Sequence, residues 1–561
     1  MSDERPWLKH YPSGVPANID ETCYPSVVEF FKDRCQEFSK QKAFACMGVS
    51  LTYKELDKLS DAFGAYLHSR GLFPGDRVAL MMPNILQYPV ALFGCLKAGI
   101  TVVNTNPLYT PREMQHQFHD SGVKGIVIAE NFCANLEKIL PQTEIKTIIT
   151  TTIGELLGGM KSLIVDAAIK HVKRLVPKYE LPNTVKFKEA LQQGKKFKLP
   201  DFDNMPDRVI VHQYTGGTTG VSKGAMLTNS NLVANLMQIR HTLIPYFSED
   251  DSQPIVLCPL PLYHIFAFSC NCLSMMDAGA LTVLITNPRD LPSVIKEFNR
   301  YPVTGMTGVN TLFNALNNHP DFAKVDFSTM VMASAGGTAL QSKVAEEWKM
   351  ITGFEISEGY GMTEASPVVT TNPKGKIRVG TIGVPIPSTD VRIVDENGQV
   401  LPQGERGELQ VKGPQVMKGY YNRPDETAKT ITADGWLNTG DIGIMDQDGY
   451  FKIVDRKKDM ILVSGFNVFP NEIEDVVGTH PKVDEVAAIG VPSDKSGECV
   501  KIFVTLKDSS LSKDELKAFC KEHLTGYKVP KHIEFIKELP KSNVGKILRR
   551  ELRDQEVVKA V

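Results

Sequence analysis

Short apolar runs separated by helix-length stretches limit this chain to a layered fold. Arg77-Val-Ala-Leu-Met-Met, closed by Pro83-Asn84, reads as a buried strand, and Thr101-Val-Val-Asn, Gly125-Ile-Val-Ile-Ala and Thr147-Ile-Ile-Thr repeat the pattern. Helical stretches lie between them; Leu51-Thr-Tyr-Lys-Glu-Leu opens one that runs through Leu67. Strand–helix alternation of this kind predicts an α/β domain around a largely parallel sheet. It resumes from 255 to 360, with Pro254-Ile-Val-Leu-Cys, Leu281-Thr-Val-Leu-Ile and Val331-Met-Ala-Ser as strands.

The texture then changes twice. From about 376 strands shorten, and Asn397-Gly398, Asp434-Gly435 and Asp448-Gly449 supply hairpin turns. A β-rich subdomain is expected over 376–455. The last hundred residues read as a compact α+β unit. Pro470 opens a helix with Glu472 and Glu474 in its first turns, and Ser512 to Glu515 caps a second helix that ends at His523. The expected organisation is an N-terminal domain over 1–456, a hinge at 457–459 and a small mobile domain over 460–561. The run Asp455-Arg-Lys-Lys-Asp459 at that boundary reads as a solvated stretch or as a hinge.

At 561 residues the chain exceeds a single core. A net charge of -2 argues against a nucleic-acid protein held by bulk charge. Ten scattered cysteines without a Cys-x-x-Cys pair read as buried thiols, not as zinc ligands or disulfides. The polar start lacks an apolar signal core, and no stretch of ~18 apolar residues offers a membrane span. A cytoplasmic location is expected. One segment is unusual: residues 161–198 hold ten Lys or Arg against three Asp or Glu. Within it, Leu163 to Val176 can be drawn as a helix with one apolar side. It reads either as a basic surface helix packed on its own domain or as a peripheral contact with an anionic membrane surface.

Chemistry concentrates in a few islands. Tyr214-Thr-Gly-Gly-Thr-Thr-Gly-Val-Ser-Lys-Gly224 follows the strand-like Val209-Ile-Val-His. Gly216, Gly217 and Gly220 let a backbone approach an anion closely. Thr215, Thr218, Thr219 and Ser222 add hydroxyls, and Lys223 adds charge. Such a loop suits a polyphosphate, although it is not a Walker A frame. Glu358-Gly-Tyr-Gly-Met-Thr-Glu364 offers carboxylates for Mg²⁺ and an aromatic ring, Tyr360, for a purine. Trp436-Leu-Asn-Thr-Gly-Asp441 ends in an acid suited to two ribose hydroxyls, with Arg456 adding charge to the same nucleotide. Lys541 to Arg550 forms a glycine-bearing basic loop near the C-terminus. Each island alone reads equally as a turn, a cap or solvated charge. Together, in this order, they point to a nucleotide.

The islands resemble the motifs of the adenylate-forming superfamily over residues 25 to 553, with the closest likeness to bacterial long-chain fatty acid CoA ligases. Asp434-Gly-Trp-Leu-Asn-Thr-Gly-Asp-Ile-Gly through Met460 is similar to the signature of fatty acyl-CoA synthetases, except that Asn438 stands where histidine is frequent. Val463 to Glu474 is similar to the segment that opens the family's C-terminal domain. The resemblance implies an α/β fold with a mobile α+β domain, and substrates ATP, a long-chain fatty acid and CoA, with Mg²⁺. It places the 214–224 loop on the β- and γ-phosphates, Thr363 on the α-phosphate, Glu364 on the metal, and Asp441 with Arg456 on the ribose. Lys546 takes the role of the adenylation lysine, and Lys458 falls at the hinge position. Gly336, Gly359 and Asn310 shape the adenine wall and pocket floor. His264 and Phe268, from Pro259-Leu-Pro-Leu-Tyr-His-Ile-Phe-Ala-Phe268, line the acyl pocket or belong to a core helix. A carrier-loading fatty acyl-AMP ligase and a non-catalytic acyl-nucleotide sensor are the alternatives. Chain-length preference, CoA-binding residues and oligomeric state are not legible.

Overall fold

A computed structural model describes residues 5–202, 204–215, 222–247, 252–493, 496–542 and 544–560. Among the described residues, two large sheets share one core. The first runs in the order Gly419–Tyr420, Lys223–Thr228, Val209–Thr215, Thr101–Asn104, Arg77–Met81, Gly125–Ala129, Thr147–Thr151, Thr184–Lys186. Its strands from Val209–Thr215 to Thr184–Lys186 are parallel. The second contains the parallel run Ile356–Gly361, Met332–Ala335, Gly305–Gly308, Ile255–Cys258, Leu281–Leu284, Lys42–Cys46, and Val368–Thr371 joins it antiparallel beside Ile356–Gly361.

Between the sheets lies the helix Gln87–Lys97, buried along its whole length. Its apolar side chains join both sheets in one cluster. Burying a Leu or Phe side chain contributes roughly 1.5–3 kcal/mol, so this layer fixes the relative position of the sheets. The one charge in it, Lys97, is compensated by Asp57 and Asp61 at 2.5 and 2.8 Å. The helix expected from Leu51 begins at Tyr53 instead. Leu51 and Thr52 belong to the strand Val49–Thr52, and Thr52 with Glu55 forms a capping box that starts the helix Tyr53–Ser69.

A four-stranded sheet of Asp390–Val394, Gly407–Lys412, Leu437–Met445 and Phe451–Arg456 follows, all antiparallel. Asp448-Gly449 turns its last hairpin, with the Gly449 amide donating to the Asp446 carbonyl. Beyond it, the strands Ile461–Val463, Phe466–Val468, Val483–Ser493, Gly497–Leu506 and His532–Phe535 pack against the helices Pro470–Gly478 and Lys513–His523. This C-terminal unit has its own apolar cluster, built on Ile473, Val486, Ile502 and Leu516. A core of its own is what a unit needs to move as a rigid body.

Residues 159–172 form a surface helix, Gly159–Ala167, continued by a wider turn to Val172. None of its residues is buried. Met160, Leu163, Ile164, Val172 and Leu175 are all exposed, Val172 to 79%. The helix does pack on its own domain, through Val165 and Ile169 against the main core and Asp166 on Thr152 and Gly154, while these five apolar side chains stay outside that contact.

Candidate active site

The islands converge on one cleft of about 2270 Å³ between the large sheets, the four-stranded sheet and the C-terminal unit. Tyr214, Thr215, Lys223, His264, Asn310, Gly336, Gly359, Tyr360, Thr363, Glu364, Asp441, Arg456, Lys458 and Lys546 all line it. Gly216, Gly217, Thr218, Thr219 and Gly220 lie outside the described residues.

The 214–224 loop joins two antiparallel strands, with Tyr214 opposite Gly224 and Thr215 opposite Lys223. It opens no helix, so an anion here depends on amides, hydroxyls and Lys223 and not on a helix dipole. The Tyr214 hydroxyl donates to Asp120 at 2.7 Å, and His116 Nε2 lies 2.9 Å from the Ser222 carbonyl, so both shoulders of the loop are fixed. Lys223 is not free. Its ammonium sits 2.5 Å from Glu426 and over the Tyr420 ring, and that bond holds the Glu426 carboxyl down at about 2.

The Glu358–Glu364 island follows the strand Ile356–Gly361 into the cleft. Its second glycine answers a packing need. A Cβ at Gly361 would lie 2.2 Å from the Pro367 carbonyl oxygen. The two carboxylates differ. Glu358 is buried, accepts from the Leu340 amide, and burial raises its carboxyl to about 8. Glu364 accepts the Tyr420 hydroxyl at 2.7 Å. The Tyr360 hydroxyl donates to Asp441 at 2.6 Å, so this ring is tied to the ribose candidate as well as facing the cleft. Burial raises the Asp441 carboxyl, while Arg456, opposite it in the strand register and 3.5 Å away, opposes that shift.

Lys546 reaches the same place from the C-terminal unit. Gly545 has φ +78, and a Cβ there would lie 2.5 Å from Thr311 Oγ1. Glycine therefore lets the loop settle on Thr311, whose hydroxyl donates to the Gly545 carbonyl at 3.1 Å. Lys546 then lies along Gly337; a Cβ at Gly337 would be 3.5 Å from its Cε. Burial first, and Arg456 second, lower the Lys546 ammonium to about 8, against attraction from Asp441 and Glu364. His264, neighbouring Lys546, is kept neutral by burial, at about 3.

The acyl-pocket expectation is corrected at one residue. Phe268 is fully buried in the main core and does not line the cleft, whereas Phe266 and Cys270 do. Residues two apart on a helical turn face opposite ways, while four apart share a face. Ile239, Leu243 and Val368 extend this apolar wall. None of them sits in a motif, so no sequence signal marks them. Thr311, beside Asn310, and Glu426, two hundred residues from Lys223, were likewise invisible to local patterns.

Residues 31–421 match the family described as AMP-binding enzyme, and 472–546 match the AMP-binding enzyme C-terminal domain. A long-chain-fatty-acid–CoA ligase of Salmonella typhimurium is 53% identical over 551 residues, 98% of each chain. One from Haemophilus influenzae is 50% identical over 560 residues, 99% of each chain. A solved anthranilate CoA ligase, in complex with anthranoyl-AMP, has a TM-score of 0.85 at 23% identity, spanning 97% of this chain and 100% of that one, a likeness of fold.

Proposed function

The chain belongs to the AMP-binding enzyme family, and we infer on that footing that it joins a long-chain fatty acid to coenzyme A at the expense of ATP. The reaction passes through an acyl-adenylate and releases AMP and pyrophosphate. One observation supports this reading of the cleft above the others: an incompletely compensated ammonium, Lys546, is held beside Asp441, Glu364 and Arg456 by a loop from a separately cored unit.

In the first half-reaction a fatty acid carboxylate oxygen bonds to the α-phosphorus and pyrophosphate leaves. Two anions must meet, so fixed positive charge and hydrogen-bond donors between them lower the barrier. Lys546 bridges the carboxylate and the α-phosphate. The Thr363 hydroxyl contacts the α-phosphate. Lys223 exchanges Glu426 for the β- and γ-phosphates, beside the loop 215–222. Asp441, oriented by Tyr360, accepts the ribose hydroxyls, with Arg456 nearby. Gly336, Gly359 and Asn310 border the base. The acyl chain runs along Phe266, Cys270, Ile239 and Leu243, where each buried CH₂ contributes roughly 0.8 kcal/mol.

Glu364 fits a Mg²⁺ ion. Such an ion takes one or two carboxylates and completes its shell with phosphate oxygens and water. Here one hard oxygen donor, oriented by Tyr420, faces the cleft. When bound, the ion would neutralise phosphate charge.

In the second half-reaction the CoA thiol attacks the acyl carbon and AMP leaves. Lys546 has no further task there, so the C-terminal unit turns about the segment at Lys458 and withdraws the Lys541–Lys546 loop. Incubation with oleate and ATP, with and without CoA, tests the whole reading. Oleoyl-CoA and pyrophosphate are expected in equal amounts only when CoA is present. Adenylate accumulating in both cases, or no pyrophosphate in either, would reject it.

The exposed face of 159–175 supports a further part of the reading, a peripheral contact with anionic lipid. Its apolar side chains stand beside Lys170, Lys173 and Arg174. Co-sedimentation with phosphatidylglycerol vesicles, and its loss on charge reversal at those three positions, is the expected result. Binding that ignores both salt and charge reversal would remove the electrostatic part.

A further inference from the structure

The run Asp455–Asp459 is neither plainly solvated nor merely flexible. Arg456, Lys457 and Lys458 are exposed, but Asp455 is fully buried and Asp459 nearly so. Both face Arg549, which begins the helix Arg549–Ala560 three residues after Lys546. The Arg549 guanidinium donates to Glu474 through Nε and Nη2 at 3.0 and 2.7 Å, and through Nη1 to Asp455 at 3.2 Å. Its Nη2 also donates to the Asn471 side chain, and Asp459 lies 3.5 Å from Nη1. Arg553, one turn on, donates to Asp459 at 2.7 Å.

These partners belong to different bodies. Glu474 and Asn471 lie on the helix Pro470–Gly478, inside the C-terminal unit, and Glu474 also accepts the Ala488 amide at 2.8 Å. They travel with Arg549 wherever that unit goes. Asp455 is the last residue but one of the strand Phe451–Arg456, paired with Ile442 in the four-stranded sheet. Its two oxygens accept from Arg549 and from the Asn471 amide at 2.8 Å, both across the boundary. A rotation about 457–459 therefore keeps the Arg549–Glu474 fork and breaks both bonds to Asp455. Asp455 then keeps only the Arg456 amide of its own strand, at 2.7 Å, and loses its one charged partner, so it favours the arrangement in which Arg549 and the Asn471 amide are present.

We propose that Asp455 is a positioning residue that latches Arg549, and with it the Lys546 loop, in the arrangement that makes the acyl-adenylate. Both Asp455 oxygens are already taken up by protein donors, the Arg549 guanidinium and the Arg456 and Asn471 amides. Asp455 acts by holding the start of the last helix so that Lys546 stays over Gly337. The latch is specific to one half-reaction, whereas Glu474 orders the same arginine in both.

The proposal rests on the two-arrangement reading given above. The test measures the two half-reactions separately in the full-length enzyme: single-turnover pyrophosphate release from oleate and ATP without CoA, and oleoyl-CoA formation from supplied oleoyl-AMP. Asp455→Asn is expected to slow the first on the order of 10- to 100-fold, the range of a buried charge pair losing one partner, and to leave the second within about twofold. Glu474→Gln, the control within the unit, is expected to slow both. An Asp455→Asn profile that matches the Glu474→Gln profile, or an undiminished first step, overturns the latch. If Asp455→Asn does not accumulate as folded protein, Asp455→Ser is put through the same pair of assays with the same two criteria. Lys546→Ala, run alongside, separates the failures. If it splits the half-reactions and Asp455→Asn does not, only the latch is wrong; if neither splits them, the two-arrangement reading is wrong.

Discussion

Two lysines face the cleft from glycine-bearing loops, and they are held in opposite ways. Lys223 belongs to a hairpin between sheet strands and is already paired with Glu426. Lys546 arrives on a loop from the C-terminal unit and is buried with no direct ion pair among the described residues, its ammonium lowered to about 8. A lysine with a standing partner gives up one anion for another, so its net gain on binding phosphate is small. A lysine whose charge is buried and poorly compensated gains more from an arriving anion. The difference suggests a division of labour: Lys223 for holding the nucleotide, Lys546 for the transition state.

The largest expected effect breaks the comparison on the Lys546 side. Lys546→Ala should cost about 10²- to 10³-fold in adenylation, the scale of removing one transition-state donor, while thioester formation from supplied adenylate persists. Equal losses in both steps, measured by single-turnover assays, would erase the distinction. The pH profile sharpens it. The lysine must be charged to act, and the ammonium present below pH 8 is lost as pH rises through it. The kcat/KM for pyrophosphate release should therefore fall about tenfold per unit above pH 8. Lys546→Arg, which stays charged, should lack that limb whatever its residual rate.

Lys458→Pro addresses the carrier of the Lys546 loop. A stiff φ at the turning segment should slow thioester formation on the order of 10-fold and largely spare adenylation. Stopped-flow traces with both steps intact would move the hinge elsewhere. The smallest effects belong to Lys223. Lys223→Ala should raise the KM for ATP about 10-fold with kcat little changed, as expected for one charge-assisted hydrogen bond to a ground-state phosphate. Glu426→Gln should lower that KM by less than about fivefold, because a pair that keeps partial access to water contributes little. A kcat defect in Lys223→Ala exceeding its KM defect would make the two lysines equivalents.

Much of this was legible from order along the chain. Strands at Arg77, Thr101, Gly125 and Thr147 were readable because apolar runs bounded by turn residues are local signals, and the parallel sheet follows from the helices between them. The islands around Glu364, Asp441 and Lys546 were readable for the same reason, and they line one cleft. Phe268 stayed open between acyl pocket and core helix, and only the structure puts it in the core, because a motif gives composition but not which way a helical turn faces. Every residue of the run at 455–459 is charged, and nothing in it distinguishes a buried Asp455 from an exposed Lys457.

The sequence by itself determined the layered class, the change of texture near 376 and the chemical content of the site, since propensity, turn chemistry and short-range spacing act within a few residues. The tertiary structure alone decided which charges are partnered: Lys223 with Glu426, Asp441 with Tyr360, Asp455 with Arg549. Those pairs join residues 81 to 203 positions apart. Electrostatic and desolvation energies depend on distance in space and on access to water, and a linear order of residues specifies neither.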